Sequence, residues 1–181
     1  MKTATSLRRR AQGFTLVEML VVIALVAILS AIAVPGFRDL LQNQRLASAT
    51  SDFVAALSHA RSEAIRRSQN VTVSPQGQGW GSGWTVRVAA DSAAPPVRTF
   101  DALPGGVTVD TTLGNGFDTL VTYDGNGFSG EGNSYKAGCL ALKAETGRRS
   151  AIVIPMSGRP KACDPDRKGD CGFSKCNAAG G

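Results

Sequence analysis

An uninterrupted apolar segment near the N-terminus constrains this chain more than any other feature. The 21 residues from Phe14 to Val34 contain one charged side chain, Glu18. About 20 residues of α-helix cross the hydrocarbon core of a bilayer, so the segment predicts a membrane-spanning helix. Four basic residues and no acidic ones precede Gly13. The positive-inside tendency therefore leaves the N-terminus in the cytoplasm and exports the rest.

A cleavable secretory signal is the alternative interpretation of this segment. A small-x-small site, Ala31-Ile32-Ala33, is present for it. The apolar run is, however, longer than the usual signal core of roughly 7–15 residues. Glu18 also lies inside the run, where a charge is expensive. Both interpretations export the remainder of the chain.

Helical periodicity continues beyond Pro35-Gly36. Apolar residues recur at three- and four-residue steps, among them Phe53, Leu57, Ala60 and Ala64. We therefore expect one helix from Phe14 to about Arg67, apolar on all sides in its first half and on one side in its second. Proline and glycine should loosen or kink it where the apolar run ends.

From Asn70 onward the pattern is that of short strands separated by turns. The candidate strands are 71–73, 84–88, 97–100, 107–109, 119–123, 139–142 and 151–154, with Asn-Gly, Asp-Gly and Pro-Gly signals between them. Close spacing favours antiparallel sheets. The sequence therefore predicts an α+β fold in which the one-sided half of the long helix covers a sheet.

All four cysteines lie in the last quarter of the chain. They are Cys139, Cys163, Cys171 and Cys176. An even number in an exported segment favours disulfides, and the sequence does not choose among the three possible pairings. A zinc site would need two close pairs or histidine partners, and the one histidine, His59, is far upstream.

Three further motifs point to structure more than to chemistry. The glycine-rich stretch 77–84 precedes a strand and not a helix, so it predicts a turn and no phosphate cradle. Segment 164–170 lacks the third ligand and the bidentate glutamate of a calcium loop. No nucleophile, base and orienting group occur together, so we expect no enzyme, metal or cofactor.

Two basic groups flank the strand around 151–155. Arg148 and Arg149 precede it, and Arg159 and Lys161 follow it, so both groups could emerge on one edge or at adjacent ends. Such side chains suit phosphate oxygens and hence nucleic acid. The alternative is that they only protect a strand edge from aggregation.

The N-terminal sequence Gly13-Phe14-Thr15-Leu16-Val17-Glu18, behind a basic leader, resembles a type IV prepilin signal. The resemblance implies cleavage after Gly13 by prepilin peptidase and N-methylation of Phe14. It also implies that Glu18 pairs with the α-amino group of a neighbouring subunit during assembly.

Three later segments, 60–73, 80–88 and 139–163, resemble the GspH/FimT (and FimU) branch of minor pilins and pseudopilins. The branch implies a type IV pilin-like fold, a long N-terminal α-helix packed on an antiparallel β-sandwich-like head. The expected divisions are a leader (1–13), a transmembrane and filament-core half-helix (14–35), an amphipathic half-helix (36–69), a β-rich head (70–162) and a disulfide-bonded basic tail (163–181).

The resemblance also implies a function. The chain is expected to be a minor pilin that helps to prime assembly near the pilus tip. Its partners would be other minor and major pilins, prepilin peptidase and the inner-membrane assembly platform. Before assembly its head would lie in the periplasm. The alternative is a GspH-like pseudopilin of a type II secretion system.

FimT-like proteins carry a C-terminal Gly-Arg-x-Arg motif associated with DNA binding in natural transformation. Gly158-Arg159-Pro160-Lys161 matches it, with Lys161 in place of the second arginine, which keeps the charge and loses the bidentate fork. Arg148 and Arg149 could add to a site for double-stranded DNA. On the same resemblance we expect a Cys139–Cys163 disulfide, which leaves Cys171 and Cys176 to close a small loop.

Overall fold

The computed structural model describes residues 14–90, 94–115, 117, 119–131, 134–172 and 176. Within them, a long helix, α1 (Leu16–Arg67), is followed by ten short strands. The chain divides into two compact units, Met1–Arg38 and Asp39–Gly181. The predicted α+β class is therefore confirmed.

The first unit contains the apolar part of α1, whose side chains are exposed. This helix is long and apolar enough to cross a membrane, judged by length and composition. The helical assignment runs through Pro35 without a break. The expected leader, 1–13, lies outside the described residues.

The ten strands form two antiparallel sheets. They are β1 (Val71–Pro75), β2 (Trp84–Val88), β3 (Arg98–Phe100), β4 (Val107–Asn115), β5 (Val121–Tyr123), β6 (Ser129–Glu131), β7 (Ser134–Tyr135), β8 (Gly138–Ala144), β9 (Arg149–Ile154) and β10 (Lys161–Cys163). One sheet has the order β3-β2-β1-β5-β6-β7, and the other has the order β10-β9-β8-β4. All seven predicted strands are present, whereas β6, β7 and β10 were not predicted.

The second half of α1 contributes the centre of the head's core. Its buried residues are Leu46, Ala49, Thr50, Phe53, Ala56, Leu57, Ala60 and Ala64. The alanines let the helix approach the strands closely. Phe53 meets Trp80 and Trp84 edge to face, with ring centroids 5.2 and 4.8 Å apart, a geometry that adds to the stabilisation from burial.

The two central strands of the smaller sheet, β8 and β9, are largely buried on both faces. Leu140, Leu142, Ile152 and Ile154 join the main core, while the alternate residues Cys139, Ala141, Ala151 and Val153 form a second cluster with Cys163, Cys171 and Cys176. Cys171 and Cys176 of the C-terminal segment therefore lie against the outer face of these strands. Two alanines there leave room for this segment.

The expected disulfide pairing is wrong. Cys139 pairs with Cys176, and Cys163 pairs with Cys171. Strand β9 lies between β8 and β10, with Cys139 opposite Val153 and Cys163 opposite Ala151. Two strand spacings of about 4.8 Å each put Cys139 and Cys163 beyond the ~7 Å Cα separation that a disulfide can bridge. All four cysteines are oxidised, so none is available for zinc.

Candidate functional site

Arg159 follows a tight turn that holds it on the surface. The Gly158 N–H donates to the Pro155 carbonyl at 2.8 Å. Gly158 has φ 75°, is buried, and leaves no space for a Cβ because the Gly127 carbonyl oxygen lies against it. Arg159 itself is exposed, and its side chain makes no ion pair or hydrogen bond with the residues that the structure describes. Its charge is therefore available to a ligand.

Lys161 begins β10, the edge strand of the smaller sheet. Its ammonium group donates to the Asp170 carbonyl oxygen at 3.1 Å. A carbonyl group is neutral, so this contact positions Lys161 without cancelling its charge. Arg159 and Lys161 are two residues apart on one exposed segment.

Arg149, by contrast, is already paired. Its guanidinium group binds the Asp166 carboxylate through two nitrogens and lies 3.8 Å from Asp110 Oδ2. The hydrogen bond to Asp166 outweighs partial burial and raises the pKa of Arg149. Arg149 therefore joins the C-terminal segment to β4, and its charge is matched locally.

The two basic groups lie at opposite ends of β9, not on one edge or at adjacent ends as expected. Arg149 begins β9, and Arg159 follows the turn after Ile154. Five residues of strand separate Arg149 from Ile154 by roughly 17 Å. Arg148 is exposed but lies at the same end of β9 as Arg149, away from Arg159. The structure brings Arg159 and Lys161 together and separates them from Arg148 and Arg149.

The start of α1 has the geometry of a capped helix. The Glu18 N–H donates to Thr15 Oγ1 at 3.2 Å, and Thr15 directly precedes the first helical residue. Threonine followed three residues later by glutamate is the spacing of a capping box. Sequence reasoning noted Glu18 and missed this role of Thr15, although the spacing signals it. Phe14 is exposed, and Gly13 lies outside the described residues.

An exposed aromatic pair at the end of the larger sheet was also missed. The rings of Phe128 and Tyr135 are 5.7 Å apart and inclined at 66°, and the side chains are 47% and 64% exposed. The two residues belong to different parts of the β5–β6–β7 meander, so sequence spacing does not show that they meet.

The remaining motifs form turns in the structure. In segment 164–170, Asp164 Oδ1 accepts from the Asp166 N–H at 2.9 Å and Asp170 Oδ2 from the Asp164 N–H at 2.7 Å. The described part of the chain contains no group of three or more His, Cys, Asp or Glu residues that could hold a metal ion. Stretch 77–84 forms a turn with a short 3-10 helix, Trp80–Ser82.

This architecture, an apolar helix continued into a core helix beneath antiparallel sheets, defines a filament subunit of the pilin type. The profile of the family described as type II transport protein GspH matches residues 49–158. The profile of the prokaryotic N-terminal methylation motif matches residues 8–34. The chain therefore belongs to the GspH family.

Similar proteins agree with this assignment. A fimbrial protein of Pseudomonas aeruginosa is 32% identical over 61% of this chain and 73% of its own length. The type IV narrow pilus major component PilA5 of Thermus thermophilus is 40% identical over 55% of this chain and 92% of its own length. The type IV minor pilin FimU of P. aeruginosa superposes with a TM-score of 0.58 at 21% identity, covering 71% of this chain and 96% of FimU. The minor pseudopilin EpsH of Vibrio cholerae superposes with a TM-score of 0.50 at 14% identity, covering 68% of this chain and 99% of EpsH.

The chain is thus a pilin or pseudopilin of a type IV pilus or a type II secretion system, and a structural subunit instead of an enzyme. Members of its family assemble with other pilins. The methylation motif and the apolar helix fit a membrane-anchored subunit that enters a filament.

Proposed function

We propose that this protein is a minor subunit of a type IV pilus that helps to start assembly near the tip, and that its head holds double-stranded DNA through Arg159 and Lys161. The observation that carries the DNA proposal is the unpaired Arg159 on a turn fixed by Gly158. Because the backbone of the turn is fixed, only the Arg159 side chain has to be ordered when it meets a phosphate.

The N-terminus supports the assembly proposal. Prepilin peptidase would cleave after Gly13 and leave Phe14 to be methylated. Glu18 is exposed in the first turn of α1, where a neighbouring subunit's α-amino group could reach its carboxylate. The inner-membrane platform and the major and other minor pilins would be its partners, with the head in the periplasm until assembly.

Local charge pairing limits which of the four basic side chains we propose as DNA contacts. Arg159 and Lys161 keep their charge, whereas that of Arg149 is matched by Asp166 and Asp110. Arg148 is exposed but lies at the opposite end of β9. We therefore assign the main contact to Arg159, a second contact to Lys161 and at most an outlying one to Arg148.

The test is DNA binding by the processed full chain in detergent, titrated with salt. A plot of log K against log salt concentration has a negative slope, and each phosphate contact that is lost reduces the size of this slope by roughly one. Arg159→Gln with Lys161→Gln should weaken binding and reduce the slope by about two. Arg167→Gln, an exposed charge in the C-terminal segment, is the matched control. Equal slopes for the double variant and the control would refute the DNA proposal.

A type II secretion pseudopilin is the second candidate, because the matching family profile bears that description. Deleting the gene separates the two functions. Loss of surface pili with normal protein secretion supports the pilus, and loss of secretion with normal piliation supports the pseudopilin.

A further inference from the structure

Four apolar side chains lie exposed together at one end of the head. They are Ile65 (44% exposed), Phe128 (47%), Tyr135 (64%) and Met156 (55%). We call them the aromatic end surface. Ile65 Cδ1 lies 2.7 Å from where a Cβ on Gly127 would be, and the Met156 carbonyl accepts from the Ser129 N–H at 3.0 Å. Both therefore adjoin the loop that carries Phe128.

The loop is held rigid by one carboxylate. Asp124 Oδ1 accepts from the Asn126 and Phe128 N–H groups at 3.0 and 2.8 Å, and Asp124 Oδ2 accepts from the Tyr135 hydroxyl at 3.1 Å. Asp124 thereby holds the Tyr135 ring through its hydroxyl group and holds the backbone that carries the Phe128 ring. Rings fixed in this way lose little entropy on binding.

A second set of contacts fixes the loop to the rest of the head. Arg61 Nε donates to the Gly127 carbonyl at 2.9 Å. The Ser129 hydroxyl donates to the Pro155 carbonyl at 2.7 Å, which links the loop to the turn before Arg159. The aromatic end surface is therefore preformed. None of the contacts just described requires its four side chains to be exposed.

Beside the rings is a small cavity of about 200 Å³, bounded by Thr122, Asp124, Phe128, Gly130 and Tyr135. In the strand register, Gly130 lies between Thr122 and Tyr135, and the Ser134 carbonyl oxygen occupies the place that a Cβ on Gly130 would take. The cavity has room for one side chain of a partner. Exposed aromatic residues around such a cavity are typical of the anchor region of a protein interface.

We propose that the aromatic end surface docks the head of a different pilin-type subunit, one that presents an apolar surface edged by carboxylates. This interface goes beyond the proposed function, because neither the proposed DNA contacts, Arg159 and Lys161, nor the first turn of α1 takes part in it. Aromatic residues, methionine and arginine are the residue types enriched at protein interfaces.

Charge argues for a different subunit and against a second copy. The Arg61 guanidinium group binds carbonyl oxygens of Gly127 and Ser157 and has no carboxylate partner among the described residues. The chain that begins at Phe14 after the proposed cleavage carries a formal charge of +2, from 16 basic and 14 acidic residues. A symmetric contact between two copies would bring two Arg61 side chains together, which is unfavourable, whereas a partner's carboxylates would be attracted.

Ring geometry argues against nucleic acid at this surface. Successive bases stack on exposed ring faces. Phe128 and Tyr135 are inclined at 66°, so the edge of one ring meets the face of the other. Ile65 and Met156 add aliphatic surface, which suits a protein partner better.

The test is photo-crosslinking of the full chain in its own cells, with a photoreactive phenylalanine analogue at position 128. We expect an adduct with another subunit that has a prepilin N-terminus, at about ten times the level obtained from Thr99. Thr99 is an exposed control on β3, at the opposite edge of the same sheet. Tyr135→Ser should reduce the adduct about tenfold, the scale of truncating an interface anchor.

Arg159→Gln should leave the adduct unchanged, which keeps this result independent of DNA binding. Unaltered Cys139–Cys176 and Cys163–Cys171 pairing, read by peptide mass spectrometry, verifies that each variant folds. Four results overturn the proposal: an adduct removed by nuclease, an adduct with a second copy, an adduct with a protein that is not a pilin, and a yield no higher than at Thr99.

Discussion

The guanidinium group of Arg61 lies 2.9 Å from the carbonyl oxygen of Gly127, and this hydrogen bond ties the end of the long helix to the loop between β5 and β6. A second donor of the same side chain reaches the Ser157 carbonyl at 3.5 Å. One side chain therefore connects the helix, the larger sheet and the turn before Arg159.

Arg61→Ala should lower the free energy of unfolding by about 1.5–3 kcal/mol, the usual cost of losing a hydrogen bond to a charged group. Arg66→Ala is the control, since Arg66 makes an exposed ion pair with Glu63, and such pairs contribute roughly 0–1 kcal/mol. Urea unfolding of the full chain in detergent measures both. Equal losses of unfolding free energy in the two variants would show that the Arg61 hydrogen bonds stabilise the fold no more than an exposed ion pair does.

Gly158→Ala should be more damaging than an ordinary glycine substitution. Left-handed backbone costs an alanine about 1–2 kcal/mol, and at Gly158 the added methyl group would also strike the Gly127 carbonyl oxygen. We expect a total loss of about 2–5 kcal/mol in unfolding free energy.

The matched control for that substitution is Gly147→Ala. Gly147 has φ 87° but no atom within 4 Å of an added Cβ, so it reports the backbone cost alone. Thermal unfolding of the two variants gives the steric part by difference. No difference between them would mean that the turn before Arg159 is free to move away from Gly127.

Acid should loosen the aromatic end surface. Burial opposes ionisation of Asp124, but hydrogen bonds from the Phe128 N–H, the Tyr135 hydroxyl and Asn126 outweigh it and lower the pKa of Asp124 below its usual 3.8. A pKa that is lower in the folded state than in the unfolded state stabilises the fold at pH values above the unfolded-state pKa. This stabilisation is lost as the pH falls through the folded-state pKa.

The stability difference between the native chain and Asp124→Asn should therefore shrink as the pH is lowered below about 4. Unfolding free energies measured across this range test the sign. Tyr135→Phe, which removes one of the donors, should reduce the pH-dependent part without abolishing it. A difference that grows on acidification would contradict the assignment.

Removing the two disulfides should have unequal effects. The Cys139–Cys176 bridge spans 37 residues and the Cys163–Cys171 bridge spans 8. The chain-entropy relation gives about 4 kcal/mol for the longer loop and about 2.5 kcal/mol for the shorter. Paired alanine substitutions and chemical unfolding measure each loss, and the reverse order would contradict the pairing or the entropic account.

Glu18→Ala should lower incorporation into pili, because the first turn of the helix would lose the carboxylate proposed to meet a neighbour's α-amino group. Thr15→Ala removes the hydrogen bond to the Glu18 N–H but keeps the charge, so its effect should be smaller. Immunoblots of sheared pili give the incorporated fraction, and the mass of the native chain reports whether it begins at methylated Phe14. Equal incorporation of Glu18→Ala and the native chain would refute the assembly role.

The sequence predicted the elements well where hydrophobic periodicity is strong. The helix ends at Arg67 as expected, and alternating valines such as Val71 and Val73 form the predicted β1. Strand β10 was missed because it is short and contains Lys161 at its start. Strand β10 is stabilised by hydrogen bonds to β9, and its amino-acid composition does not predict this pairing.

The candidate site was less accessible to sequence reasoning, because it depends on which strands are neighbours. The position of β9 between Cys139 and Cys163 excludes a disulfide between these two residues, and local spacing carries no information about that order. The pairing of Arg149 with Asp110 and Asp166 likewise joins residues far apart in the chain. Only the side-chain contacts in the structure show that Arg149 is paired while Arg159 is free to bind.

The Cys139–Cys176 bridge also decides how the head can respond to tension. A chain pulled at its two ends cannot extend the residues between two bridged cysteines. About 37 residues, or roughly 130 Å of extended chain at ~3.5 Å each, are thereby removed from any stretching path. Strands β9 and β10, with the turn that carries Arg159, lie wholly inside this loop. A pulling force could unwind the helix or peel away the larger sheet, yet the segment proposed to hold DNA would bear no load along its own backbone.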